Sequence, residues 1–154
     1  MPSNRATPAG LVRRVAWVAA PFAGGALATC IAFLLLRDSF TDDVATHFSL
    51  DGPADDYSSP GTALGLYMVV FATETVGVIA AGFSSGSALT TTRSLGVFSI
   101  GLAAATAYVL VAVMWTTSGS DGHIAQPPLF QVAVGVVVGA VAGAAAWLVS
   151  RRPT

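Results

Sequence analysis

Charged residues are scarce in this sequence, and lysine is absent from it. Only 10% of its 154 residues are charged, whereas 54% are hydrophobic, and its mean hydropathy is +0.71. A soluble domain carries about a quarter of its residues as charged side chains. Because this chain has too few to cover a water-exposed surface, the composition predicts an integral membrane protein of one domain.

Other absences exclude several functional classes. The basic residues are all Arg, and they form no cluster suited to nucleic acid. Cys30 is the single cysteine, which rules out an internal disulfide and a metal site built on cysteines. The chain has no serine triad with a supporting motif, no His-Glu-x-x-His pair and no phosphate-binding Gly-rich loop ahead of a Lys. We therefore expect a protein that is not an enzyme and that binds no cofactor.

Four apolar stretches are long enough to cross a bilayer, which takes about 20 residues of helix. They cover residues 15–36, 61–83, 94–116 and 129–150. The connectors are short, with loops 37–60 and 117–128 on one side and loop 84–93 on the other. The pattern predicts an all-α integral membrane fold, in which residues 1–154 form one transmembrane domain with four helices in an antiparallel bundle.

The arginines predict how this bundle is oriented in the membrane. One side of the predicted topology carries Arg5, Arg13, Arg14, Arg93, Arg151 and Arg152. The other side carries Arg37 and the acidic residues Asp38, Asp42, Asp43, Asp51, Asp55, Asp56 and Asp121. Since arginine is enriched in cytoplasmic segments, both termini are predicted to be cytoplasmic, in a multi-pass protein of the cell membrane.

The polar stretch at residues 42–61, DDVATHFSLDGPADDYSSPG, carries signals of local order. Its segment THFSL alternates polar and apolar residues, as a short extended segment does. Asp51 and Gly52 favour a tight turn, and Pro60 suits the first position of a helix. We predict an ordered outer loop that is anchored on the rim of the bundle through Phe48, Leu50 and Tyr57.

Histidine and aspartate in the two outer loops allow a metal site as an alternative. The candidate ligands are His47, Asp55, Asp121 and His123, which are residue types that bind zinc or another divalent ion. Their spacing matches no known ligand pattern, and the same residues are common in solvated turns. A hydrogen bond between His47 and Asp55 across the turn is a further explanation.

This loop also resembles the signature of a family of small bacterial multi-pass membrane proteins of unknown function. The signature reads approximately Pro-x-His-aromatic-x-x-x-Gly-x-Pro/Ala-Asp-x-aromatic, and related segments occur in SdpI-type immunity proteins. The matching positions here are His47, Phe48, Gly52, Ala54, Asp55 and Tyr57. Ala45 replaces the usual proline, and Pro60 stands near the usual lysine. The resemblance implies a membrane fold and an envelope setting, and it implies no reaction.

Glu74 is an ionisable residue near the middle of the second span. Placing a charge at that depth costs at least about 2.5 kcal/mol, so we expect a neutral carboxyl that is hydrogen-bonded. Candidate partners on other spans are Thr29, Cys30, Thr106 and Tyr108. Glu74 serves either as a proton or cation site, as a contact for a partner's membrane helix, or as a hydrogen bond that joins two helices.

Small residues at four-residue steps predict close helix contacts in two spans. The fourth span carries Gly135, Gly139 and Gly143, and the first carries Ala16, Ala20, Gly24, Ala28 and Ala32. Packing within one chain is one interpretation of these stripes. A homo-oligomer through helix 4 is the alternative.

These observations together predict a small, non-enzymatic integral membrane protein with an accessory, interaction or immunity-like role in the cell envelope. Its expected partners are the lipid bilayer and another membrane or envelope protein, with no nucleic acid. One alternative is an ion- or proton-coupled small transporter that uses Glu74. The other is an outer-face metal-binding protein that uses His47.

Overall fold

The computed structural model describes residues 8–40, 43–48, 54–83, 91–118 and 129–151. Its four long helices are α1 (Pro8–Leu36), α2 (Pro60–Phe83), α3 (Thr92–Ser118) and α4 (Leu129–Ser150). Two short strands, β1 (Val44–Phe48) and β2 (Ala54–Ser58), lie between α1 and α2. The four predicted spans lie within the four helices, and α1 begins before its predicted span. Each helix is long and apolar enough to cross a membrane.

Helices α1, α2 and α3 contact one another and enclose the core. At the middle of α1, a Cβ placed on Gly25 would lie 2.8 Å from the Phe71 ring of α2 and 3.2 Å from the Ala103 carbonyl oxygen of α3. One cluster of buried residues includes Val18, Phe22, Phe71, Val78, Leu95 and Ala103. A second cluster lies at the end that carries the strands and includes Phe33, Val44, Ala63, Tyr67 and Met114.

Helix α4 packs chiefly on α3 rather than on α1 or α2. A Cβ on Gly139 would lie 2.6 Å from the Gly101 carbonyl oxygen, so the two backbones approach too closely for any side chain there. Gly135 faces Val109 in the same interface. In the described part of the chain, α4 thus lies on the outside of a three-helix cluster, whereas the sequence pattern predicts a compact four-helix bundle.

The small-residue stripe of α1 does not form the helix contact that the sequence predicts. Four of its five residues, Ala16, Ala20, Gly24 and Ala28, are exposed, and no atom lies within 4 Å of a Cβ placed on Gly24. Only Ala32 is half-buried, and it packs against the second cluster. The inward face of α1 instead carries Val18, Phe22, Thr29 and Phe33. This prediction was wrong because the space between α1, α2 and α3 is filled by large apolar side chains, which turns the small residues outward.

Strands β1 and β2 form an antiparallel pair, so the fold is not purely α-helical. The pairs are Val44 with Ser58, Ala45 with Tyr57, His47 with Asp56 and Phe48 with Ala54. The register shifts on both sides of His47. The sequence predicts an ordered loop with a short extended segment, and pairing of two such segments satisfies backbone groups that an unpaired loop would leave to water.

Candidate functional sites

The strand pair, which we call the hairpin, is held firmly on the ends of the helices. Val44 and Ala45 of β1 are fully buried, and Val44 belongs to the cluster that includes Phe33 and Met114. The Tyr67 hydroxyl of α2 donates a buried hydrogen bond of 3.2 Å to the Ala45 carbonyl oxygen. The anchors are therefore β1 residues that the sequence pattern did not single out.

Toward its turn the hairpin becomes polar and exposed. His47 and Asp56 are exposed and lie opposite each other in the strand register. The Thr46 hydroxyl lies 3.4 Å from the Ser58 hydroxyl and donates to the Asp56 carbonyl oxygen at 3.5 Å. Cross-strand side-chain contacts of this kind hold a hairpin in register. The hairpin can thus present a defined polar surface at this end of the protein.

The loop residues predicted from the family-like signature are placed only in part. His47 lies opposite Asp56 rather than Asp55. Tyr57 is half-buried, whereas the side chains of Phe48 and Asp55 lie outside the described part of the structure. Gly52, Asp121 and His123 also lie outside the described residues. Among the described residues, no group of three His, Cys, Asp or Glu residues could hold a metal ion.

Glu74 is joined to α3 by one short hydrogen bond. The Thr106 hydroxyl donates to Glu74 Oε1 at 2.6 Å. Of the partners that we expected on other spans, Thr106 is the one that binds Glu74. The second oxygen, Oε2, is buried and has no hydrogen-bond partner in the described part of the chain. An ionised carboxylate would leave that oxygen without compensation, so the geometry favours a neutral acid.

The other expected partners of Glu74 make different contacts. The Cys30 thiol lies 3.6 Å from the Met68 sulfur and donates to it. The Tyr108 hydroxyl donates to Gln131 Oε1 of α4. The Thr29 hydroxyl oxygen is buried without a partner among the described residues. Glu74 is therefore tied to α3 through Thr106 and not to α1.

A groove of about 290 Å³ runs beside this pair because α4 stands apart from α2. Its lining comes from α2, α3 and α4 and consists of Val70, Ala105, Thr106, Val109, Leu110, Val132, Gly135 and Val136. Thr106 is the polar residue in this apolar lining, and it is the residue that binds Glu74. The Thr106 side chain thus connects the Glu74 carboxyl to the lining of this groove, which is open to the protein surface.

The inward stripe of α2 passes Glu74 and does not include Gly77. Tyr67 and Phe71 are buried, as is Val78, but Gly77 is exposed with open space around it. Four-residue steps from Glu74 reach Val78, whereas Gly77 lies on the other side of the stripe.

The glycine stripe of α4 is used for packing within the chain. Gly135, Gly139 and Gly143 are all buried against α3. Contacts this close need small residues on both helices, and Gly101 and Ala105 supply them on α3. A second copy of the protein cannot occupy this face while α3 does.

Arginines organise the end of the helices opposite the hairpin, which we call the arginine end. Arg93 of α3 donates from Nε to the Ser150 hydroxyl at 2.8 Å and from Nη2 to the Trp147 carbonyl oxygen at 3.0 Å. The Arg151 guanidinium carbon lies 3.3 Å from the centroid of the Trp147 ring. Arg14 donates to the Gly82 carbonyl oxygen of α2 at 3.4 Å. Cations therefore meet the carboxyl-terminal ends of α2 and α4, where the helix dipole favours them.

The sequence identified these arginines only as markers of topology. A signal for their second role was present, because Arg151 directly follows the last predicted span and Arg93 directly precedes the third. No protein-family model, curated protein or solved structure matches this chain.

Proposed function

We propose that this chain is a non-enzymatic, multi-pass protein of the cell membrane that acts through contacts with other proteins. Four helices that are long and apolar enough to cross a bilayer support the membrane setting. We further propose an antiparallel arrangement in the membrane, with both termini cytoplasmic and the hairpin outside. Arg13, Arg14 and Arg93 lie at the end opposite the hairpin, which is what the positive-inside rule expects of this orientation.

The exposed small-residue stripe of α1 carries the proposal. Ala16, Ala20, Gly24 and Ala28 recur at four-residue steps on a face that no other part of the described chain covers. Small residues at this spacing let two helix backbones approach closely in lipid, where packing is the main source of helix association. This stripe therefore suits a membrane helix of another protein, and the α4 stripe is already occupied by α3.

The hairpin provides a second contact surface outside the membrane. Its base is fixed by Val44 and by the bond between Tyr67 and Ala45, while His47 and Asp56, nearer its turn, are exposed. A fixed polar surface costs little ordering entropy when a partner binds. The resemblance to segments of SdpI-type immunity proteins makes an immunity-like contact with a secreted or envelope protein one form of this proposal.

Affinity purification of the tagged protein from native membranes in mild detergent, followed by mass spectrometry, tests the proposal. The test variant is Gly24→Leu and the matched control is Gly77→Leu, since both glycines are exposed and a Cβ placed on either one meets nothing within 4 Å. We expect a membrane-protein partner to be retained by the wild type and by Gly77→Leu and lost from Gly24→Leu. Equal retention by both variants, or no partner with the wild type, contradicts the proposal.

A homo-oligomer through α4 is a separate proposal, and it needs a different face of that helix. Val137 and Val141 are exposed on α4, away from the glycines that contact α3. In the purification above, a second copy of this chain is one of the outcomes. Val137→Cys crosslinking in native membranes would produce a dimer if this face joins two copies.

An ion-coupled role for Glu74 is the second candidate, because one of its oxygens is buried without a partner among the described residues. A neutral carboxyl beside a groove is able to take up and release a proton if water or an ion enters. Proton flux across liposomes that contain the protein tests this role. The ion-coupled role requires flux with the wild type and its loss with Glu74→Gln, which keeps the shape of the side chain but cannot ionise. Equal flux in the two proteins eliminates it.

A further inference from the structure

The arginine end of the protein has no acidic side chain to neutralise it. No Asp or Glu occurs in residues 1–37, 75–120 or 122–154, and the described residues of this end all belong to these ranges. The described ion pair of the chain, between Arg37 and Asp38 at 3.2 Å, lies at the hairpin end instead. Cations without carboxylates at a membrane surface need an anion from the surroundings.

A pocket of about 330 Å³ lies at this end between the first turns of α1 and the start of α3. It is lined by Gly10, Arg13, Arg14, Trp17 and Thr92, and we call it the arginine pocket. Its α1 residues follow helical spacing and therefore share one face of that helix. Thr92 is the first residue of α3. In this first turn the Ser94 N–H already donates to the Thr91 hydroxyl at 3.0 Å, and the N–H groups of Thr92 and Arg93 have no intrahelical partner.

The arginines at this end differ in the contacts that they make within the protein. Arg93 is directed to the end of α4 by its bonds to Ser150 and Trp147. Arg14 contacts the Gly82 carbonyl oxygen at 3.4 Å, a long bond that still leaves it lining the pocket. Arg13 is exposed and forms no hydrogen bond or ion pair with a described residue. The pocket thus holds at least one guanidinium with unused donors.

Trp17 indicates the depth at which the pocket lies in the bilayer. Its indole nitrogen lies over Gly96 of α3, where a Cβ would overlap it, and the ring is 59% exposed. Tryptophan side chains that are partly exposed on transmembrane helices prefer the level of the lipid headgroups. The pocket therefore opens where lipid phosphates lie, with apolar helix surface on its membrane side.

We propose that the arginine pocket binds the phosphate of an anionic phospholipid. Arg13 and Arg14 donate to the phosphate oxygens, the N-terminus of α3 adds its positive dipole end, and Trp17 packs beside the upper acyl chain. Guanidinium groups suit this ligand because their planar donors match phosphate oxygens in pairs. The site depends on insertion in a membrane and not on any protein partner of the α1 stripe.

Native mass spectrometry of the full chain from mixed vesicles tests the proposal. The vesicles contain equal parts of phosphatidylglycerol and phosphatidylcholine, and the readout is the ratio of the two lipids that stay bound. We expect the wild type to retain phosphatidylglycerol preferentially, and Arg13→Gln to lower the ratio about fivefold, which is the effect of one basic residue near an anionic surface. Arg13→Gln should fold normally, because Arg13 has no partner within the described chain.

Arg37→Gln is the matched control, since it removes the same charge at the hairpin end. We expect this variant to keep the wild-type lipid ratio. An equal loss in Arg13→Gln and Arg37→Gln would overturn the proposal, because it would mean that net charge rather than a site holds the lipid. No preference for phosphatidylglycerol in the wild type would overturn it as well.

A second measurement separates a lipid from a free anion. Thermal unfolding in detergent is followed with short-chain phosphatidylglycerol, with short-chain phosphatidylcholine and with inorganic phosphate, all at equal ionic strength. We expect phosphatidylglycerol alone to raise the midpoint, and the rise to be lost in Arg13→Gln. An equal rise with inorganic phosphate would overturn the assignment to a phospholipid.

Discussion

Tyr67 of α2 donates a hydrogen bond from its hydroxyl to the backbone carbonyl of Ala45 at 3.2 Å, and both residues are buried. This bond joins a residue inside the helix cluster to the strand that follows α1. It ties the hairpin to the helices, so the polar surface of the hairpin keeps a defined position.

Loss of this hydroxyl should loosen the hairpin. Tyr67→Phe removes this donor from the buried Ala45 carbonyl, and the loss of one such hydrogen bond costs about 1 kcal/mol. We expect faster amide exchange in β1 and β2 and a lower unfolding midpoint, measured by hydrogen exchange and thermal unfolding in detergent. Tyr108→Phe is the control, since Tyr108 bonds to Gln131 and does not contact the hairpin. Unchanged exchange in Tyr67→Phe would show that the bond does not hold the hairpin.

The contact between α3 and α4 should not accept even one methyl group at Gly139. A Cβ there would lie 2.6 Å from the Gly101 carbonyl oxygen, so the helices must move apart. We expect Gly139→Ala to destabilise the protein by about 1–3 kcal/mol through overpacking. In the control Gly77→Ala, nothing lies within 4 Å of the new carbon, so its unfolding midpoint should not fall. Equal midpoints for the two variants would mean that α4 is not packed in this way.

Replacement of Glu74 should show whether its carboxyl is neutral. Gln offers the same oxygen to Thr106, so Glu74→Gln should change the stability by no more than about 0.5 kcal/mol. Thr106→Val removes the donor, and in a double-mutant cycle the pair should show a coupling of about 1 kcal/mol. The measurement is thermal unfolding of the two single variants and the double variant in detergent. A large loss from Glu74→Gln would instead indicate an ionised carboxylate with a cation beside it.

Arg93 should hold the end of α4 against α3. It donates to the Ser150 hydroxyl and to the Trp147 carbonyl oxygen at the last turn of that helix. We expect Arg93→Gln to cost about 1 kcal/mol and to speed amide exchange in the last turn of α4. Arg151→Gln keeps both hydrogen bonds and removes only the contact with the Trp147 ring, so it should leave that exchange nearly unchanged. If the two variants behave alike, the hydrogen bonds of Arg93 are not what holds the helix end.

The helices were predictable because their signal is local. A run of about 20 apolar residues meets the one requirement for crossing a bilayer, and that requirement does not depend on neighbours. Whether a small-residue stripe is buried against another helix or exposed was not predictable to the same degree. Ala16, Ala20 and Gly24 have the same spacing as Gly135, Gly139 and Gly143, yet the first set is exposed and the second is buried. Spacing defines a face, but the neighbour of that face depends on how all helices pack.

The candidate sites, too, were predictable from the sequence only in part. Glu74 stands out in the sequence because a carboxyl in an apolar span is costly. Only the packing of α2 on α3 selects Thr106 from among its expected partners and leaves Oε2 buried. In the loop, alternation predicted an extended segment, but the bond from Tyr67 to Ala45 spans residues far apart in the chain, and no local pattern contains it.

The sequence by itself determined that this chain has four helices of membrane length, and that its arginines other than Arg37 lie in segments predicted for the side opposite its aspartates. Composition and hydropathy are sufficient for this because they decide which segments avoid water. The tertiary structure decided which helices touch, that α4 lies outside on α3, and that Arg13 and Arg14 meet Trp17 and the start of α3 in one pocket. Those relations arise from the fit of side chains between segments that are distant in sequence, and that fit exists only once the chain is folded.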